Sequence, residues 1–275
     1  MEIEQKNQVG KDKRDRPNEF ENSLLELCNM IRILICLCLF WFSLAGAVEK
    51  SPELIFRPQT PSEAFSYIQE LISQLPWFKA NGYRIALPTQ FATEGEENLS
   101  EEKINELKAL FLTQIYSSSQ FDISLRHLYD AEPLIERGFE KLSLLKENWD
   151  FKIVPSYEVV LTLYGPGGDS DSQKGTVLLF TTPTGMFKRK TGYEVLFHEI
   201  VHIGIEESIV KKYRLSHWEK ERLVDLICAL YLAEILPEYK MQPNGDKRLD
   251  MFVDERNIVQ HLPLAIERFV QNHPR

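Results

Sequence analysis

Thr191-Gly-Tyr-Glu-Val-Leu-Phe-His-Glu-Ile-Val-His-Ile-Gly204 is the stretch whose reading decides the fold. Within it lies His198-Glu-Ile-Val-His202. On a helix, positions four apart share a face, so His198 and His202 can turn an imidazole nitrogen toward one ion. Glu199 is about 100° further round the helix than His198, poorly placed to ligate but well placed to take a proton from a water on that ion. The spacing therefore encodes two metal ligands and a general base. Thr191 and Glu194 form a Thr-x-x-Glu capping box that starts the helix ahead of His198. Val195, Leu196, Phe197, Ile200, Val201 and Ile203 make it apolar on almost every side, which predicts a helix buried all round. Two imidazoles and a carboxylate in such surroundings need partners, because burying them alone costs on the order of several kcal/mol.

A catalytic zinc usually takes three protein ligands and keeps one position for water. In an HExxHxxGxxH pattern the third histidine would fall at position 208, which is Ser208, and the glycine is out of register. Glu206 lies roughly 12 Å along the axis from His198, too far for both to grip one ion. The next helical run, Ser216 to Leu236 before Pro237, offers more. Ser216 and Glu219 make a second capping box, which gives Glu219 a structural task. Glu221 and Asp225 share a stripe with Val224, Cys228 and Leu232. A metal ion for Glu221 and a histidine N–H for Asp225 would offset the cost of burying both acids.

HExxH followed by Glu-x-x-x-Asp, with Glu221 nineteen residues after His202, resembles the gluzincin metallopeptidases, the thermolysin-like clan. The resemblance covers residues 175–236. It implies His198, His202 and Glu221 as zinc ligands, Glu199 as general base, and Asp225 as the acid that orients a zinc-bound histidine. It also implies that substrate binds as an added strand along the sheet edge beside the HExxH helix. Two departures stand out: no Asn precedes Glu221, and the clan's downstream transition-state histidine has no clear counterpart. Tyr213, His217 and His261 are the candidates for holding the oxyanion.

The implied fold class is α+β: a zincin-like core of antiparallel strands flanking the HExxH helix and a Glu-bearing second helix, behind an N-terminal helical layer. In that layer, residues 62–77 read as an amphipathic helix ended near Pro76, with further helices over 100–112 and 131–148. Then the period changes. Residues 151–164 and 175–182 read as strands, joined by Gly165-Pro-Gly-Gly-Asp-Ser-Asp-Ser-Gln-Lys174. Asp169 and Asp171 lack an EF-hand pattern, so that connection reads as a solvated loop. Residues 254–271 read as a C-terminal helix. The expected division is 1–47 as extension and targeting segment, 48–150 as the helical part, and 151–275 as the metallopeptidase core.

A formal charge of −9 argues against a nucleic-acid partner. Residues 33–48 carry no charge, follow Arg32, and end in Ala45-Gly46-Ala47, a small-x-small cleavage pattern. Sixteen residues fall short of the roughly 20 that span a bilayer. The chain is therefore expected to be secreted or periplasmic after cleavage near Ala47, with Met30 as the natural start of the signal; an uncleaved segment over 31–48 would instead anchor it to a membrane. Past the targeting segment only Cys228 remains, which excludes an internal disulfide there. The expected activity is zinc-dependent hydrolysis of peptide or protein substrates. Peptide deformylase also carries HExxH but needs a cysteine ligand upstream of the motif, absent from the mature chain. A zincin that binds a peptide or protein partner without cleaving it is the alternative of a different class.

Overall fold

The computed structural model describes residues 51–91, 100–189 and 191–274, all within the compact unit Ser51–Arg275. In chain order its elements are β1 (Glu53–Pro58), α1 (Pro61–Ala80), α2 (Glu101–Leu110), α3 (Asp122–Asp130), α4 (Glu132–Trp149), β2 (Ser156–Thr162), β3 (Gly168–Asp171) and β4 (Thr176–Phe180). Then follow α5 (Gly192–Ile205), α6 (His217–Leu226), α7 (Glu255–Gln260) and α8 (Leu262–Asn272). The class is α+β, as expected.

The sheet departs from the expected antiparallel arrangement. Its order is β1-β2-β4-β3, with β1, β2 and β4 mutually parallel and only β3 running the other way. Residues 165–174, expected as a solvated loop, contain β3. After β2 the chain swings outward, runs back as β3, and turns again so that β4 inserts between β2 and β3. The second turn is tight: Asp171 accepts from the backbone N–H of Gln173 and Lys174, and Gly175 supplies the φ of +70° that closes it. Tyr157, Val159, Val160 and Leu161 on β2 and Val177 and Leu179 on β4 are buried, as suits strands in the middle of a sheet. The short run 53–58, included in the expected helical part, is instead the strand that extends the sheet past β2, with Phe56 opposite Val159.

Several helix ends also differ, each for a packing or backbone reason. Pro76 lies inside α1, which continues to Ala80 because Phe78 buries itself in a cluster with Phe65, Phe91 and Phe111. Packing there outweighs the lost backbone hydrogen bond. The run after Ser216 leaves the α register at Ile227, where a wider π turn (Ile227–Tyr231) begins well before Pro237. The C-terminal helix is two: α7 ends at His261 and α8 restarts with Pro263 in its first turn, where a missing N–H costs nothing. Among the described residues no helix is long and apolar enough to cross a membrane; residues 33–48 and Ala47 lie outside them.

Candidate metal centre

Helix α5 begins as its cap dictates, with the Thr191 hydroxyl accepting from the Glu194 N–H at 3.4 Å. It packs against β3 and β4, and every residue from Glu194 to Ile205 is buried. His198, Glu199 and His202 are only 6–8% exposed on it. Helix α6 opens at Ser216, whose backbone N–H donates to Glu219 Oε2 at 2.7 Å, so Glu219 serves as the cap expected of it. Two residues on, Glu221 turns toward α5.

Three side chains meet there. His198 Nε2 and His202 Nε2 are 3.2 Å apart and face different oxygens of Glu221, His198 Nε2 at 3.4 Å from Oε2 and His202 Nε2 at 3.4 Å from Oε1. Donors held about 2.0–2.2 Å from a common centre are spaced roughly 3–3.5 Å, so the two nitrogens and the carboxylate between them could hold a metal ion. Among the described residues this is the group of histidine, cysteine and acidic side chains able to hold one. Cys228, the sole described cysteine, is fully buried and outside it.

The charges agree with the geometry. Burial drives the His198 imidazole down to about 3, against the pull of Glu221. Burial also disfavours charge on His202, but Glu221 and Glu199 outweigh it and the net shift is upward. Glu221 would be raised by burial; the two histidines reverse this and hold its carboxyl well below the usual range. The two imidazoles thus cluster on one carboxylate, each with an Nε2 facing it.

Glu199 borders the same cleft as these three side chains, next to β3. Its Oε2 accepts from the Ser170 hydroxyl at 3.1 Å, and a Cβ on Gly168 would collide with its carboxylate. Gly168 is therefore what lets β3 run against the Glu199 carboxylate. Burial pushes the Glu199 carboxyl up to about 7. A carboxyl poised there can take and return a proton near neutrality.

Asp225 is fully buried one turn past Glu221, but it does not touch His198 directly; the closest approach, Nδ1 to Oδ1, is 3.7 Å. Tyr239 sits between them, and Gln242 donates from its backbone to Asp225 Oδ2 and from its side chain to Glu221 Oε2 at 2.6 Å. Both come from the segment that folds back after the π turn. Neither was anticipated, and nothing local in the sequence marks them.

His198, Glu199, His202, Glu221 and Gln242 line a cleft of about 720 Å³. Its far wall is aromatic: Tyr83 lies between Trp77 and Trp218 in a near-parallel stack, and its hydroxyl is 2.8 Å from His217 Nε2. Burial, reinforced by Glu221 and Glu199, raises the Tyr83 phenol to about 12, so it keeps its proton. Of the expected oxyanion residues, His217 faces the cleft. Tyr213 does not: it packs against the main core with Lys212 over its ring. His261 is exposed at the α7–α8 junction, also away from the cleft. Tyr83 lines the cleft instead, from a segment 138 residues before Glu221 that no spacing rule connects to the motif. Compared with family models, with curated proteins and with solved structures, the chain matches none.

Proposed function

We propose that the protein is a zinc-dependent metallopeptidase of gluzincin type, with a zincin-like core, acting on peptides or proteins outside the cytoplasm. The observation that supports this most is the convergence of His198, His202 and Glu221, with Glu199 on the helix that carries both histidines and bordering the same cleft. Two imidazoles and a carboxylate are the donor set of catalytic zinc in peptidases. When bound, the ion acidifies its water and polarises a carbonyl.

The chain's own residues do the rest. Glu199 takes the proton of the attacking water and returns it to the leaving nitrogen; the Ser170 hydroxyl fixes the carboxylate for both transfers. Tyr83, protonated and accepting from a His217 Nε2–H, has its one hydrogen to donate to the negative charge that develops on the carbonyl oxygen. Edge strand β3, beside α5, offers backbone groups to an extended substrate. Location outside the cytoplasm rests on the uncharged run 33–48 and Ala45-Gly-Ala47. A native N-terminus near Val48 is expected; recovery of an intact Met1 from membranes would favour the anchored form.

Metal stoichiometry on the purified chain, followed by cleavage profiling of a peptide library, tests the activity. One zinc per chain, with proteolysis lost on chelation and restored by zinc, is the expected result. A chain that holds no metal at stoichiometry sinks the proposal, and one that holds zinc but cleaves nothing becomes the non-cleaving binder.

A further inference from the structure

Resting on the metal-centre reading above, we propose that Tyr239 is a positioning residue that relays the hold of Asp225 onto the ligand His198. The phenol bridges the two: its oxygen is 2.7 Å from His198 Nδ1 and 2.6 Å from Asp225 Oδ1. Direct contact between imidazole and carboxylate, at 3.7 Å, is beyond hydrogen-bond reach.

Counting protons fixes the direction. A phenol has one hydrogen to give. Asp225 takes it, being held as an acceptor by the Gln242 backbone N–H at 2.5 Å and faced by the Arg189 guanidinium at 3.5 Å. The phenol oxygen then accepts from His198, which puts the imidazole proton on Nδ1. Arg189 Nη2, 3.5 Å from the same nitrogen, is the longer contact and would need Nδ1 unprotonated, so the tautomer decides between the two. A proton on Nδ1 leaves the Nε2 lone pair facing His202 Nε2 and Glu221 Oε2.

The phenol is itself clamped. Arg189 lies over its ring at 4.2 Å and donates to the carbonyl of neighbouring Lys240 at 2.6 Å. The negative charge of Asp225 is thus shared with Arg189 and separated from the imidazole by a neutral group. His198 gains a fixed tautomer and ring orientation without a carboxylate against its outer nitrogen. The other ligand differs: His202 Nδ1 has no hydrogen-bond partner among the described residues. The relay therefore acts on one ligand alone.

Metal affinity provides the test, measured by chelator competition with zinc and with cobalt, whose visible spectrum also reports the ligand geometry. Tyr239→Phe removes only the hydroxyl and is expected to weaken binding by about 10–100-fold, as loss of an outer partner does. In the Asp225→Ala background the same change is expected to cost less than about threefold, because the two groups act in series. Wild-type affinity in Tyr239→Phe overturns the relay while leaving the metal centre intact. An undiminished loss in the Asp225→Ala background also overturns it, since Tyr239 would then act alone. A wild-type chain that takes up neither metal overturns the centre and the relay together. The His198 tautomer, read by long-range nitrogen–proton NMR on the wild-type protein without added metal, needs no variant to fold: a proton on Nδ1 supports the relay, and one on Nε2 excludes it.

Discussion

The two sides of the cleft are built differently. The metal side comes from two helices close in sequence, and its acids and imidazoles are at most 8% exposed. The opposite side is assembled from Trp77 and Tyr83 near the C-terminal end of α1 and from His217 and Trp218 at the start of α6. It is half-open, with Trp77 48% exposed, and is held by ring stacking more than by hydrogen bonds. Dense polar pairing in a buried place suits groups that must not move while charge is transferred. Stacked, partly exposed rings suit contact with a substrate whose side chains vary. Substitutions on the first side should therefore change metal content or chemistry, and those on the second should change substrate handling with the metal in place.

The largest separation is expected from Glu199→Gln, which should retain zinc and lose about 10²–10⁴-fold in turnover; metal analysis beside single-turnover kinetics checks it, and loss of metal would make Glu199 a ligand. Glu221→Ala comes next, with zinc affinity expected to fall by more than the roughly 100-fold typical of an outer partner. Competition against a chelator would reveal unchanged affinity and so remove Glu221 from the ligand set. Crossing the cleft, Tyr83→Phe should leave zinc affinity untouched and lower kcat by about 10²–10³-fold, the range for losing one oxyanion donor. A change confined to KM would reassign Tyr83 to substrate binding alone, and a change in metal content would erase the distinction between the two sides. The smallest effect belongs to Glu219→Ala, on the metal side but facing the helix cap. It should cost about 0.5–2 kcal/mol in denaturant unfolding and leave the metal in place.

The elements that bear on the site were unequally legible. The start of α5 at Thr191 and of α6 at Ser216 could be read directly, because an N-cap satisfies backbone groups within four residues; Ser216 and Glu219 form the full capping box, whereas on α5 the Thr191 hydroxyl accepts from the Glu194 N–H. The position of β3 could not. Gly165-Pro-Gly-Gly168 looks like a turn, and its neighbours are polar, so polarity alone does not distinguish a solvated loop from an edge strand with one face toward a cleft. Gly168 was the available clue: a glycine inside a strand marks close approach of another group, here the Glu199 carboxylate. Parallel pairing of β2 with β4 was hidden for a related reason. Two apolar runs ten to twelve residues apart read as a hairpin, and only the outward excursion through β3 makes room for β4 to enter beside β2 in the same direction.

By itself the sequence determined which side chains converge: His198 and His202 through the pitch of one helix, and Glu221 with Asp225 through the pitch of the next. Those relations are local, set by a repeat that the backbone imposes on any helical segment. The tertiary structure alone decided what supports and faces them. Tyr239 and Gln242 reach Asp225 because the chain leaves the α register at Ile227 and doubles back. Tyr83 reaches His217 across 134 residues, and Ser170 reaches Glu199 from a strand whose pairing depends on the whole sheet. Spacing along the chain carries no record of such meetings. They are set by how apolar surfaces pack, and packing is a property of the assembled core.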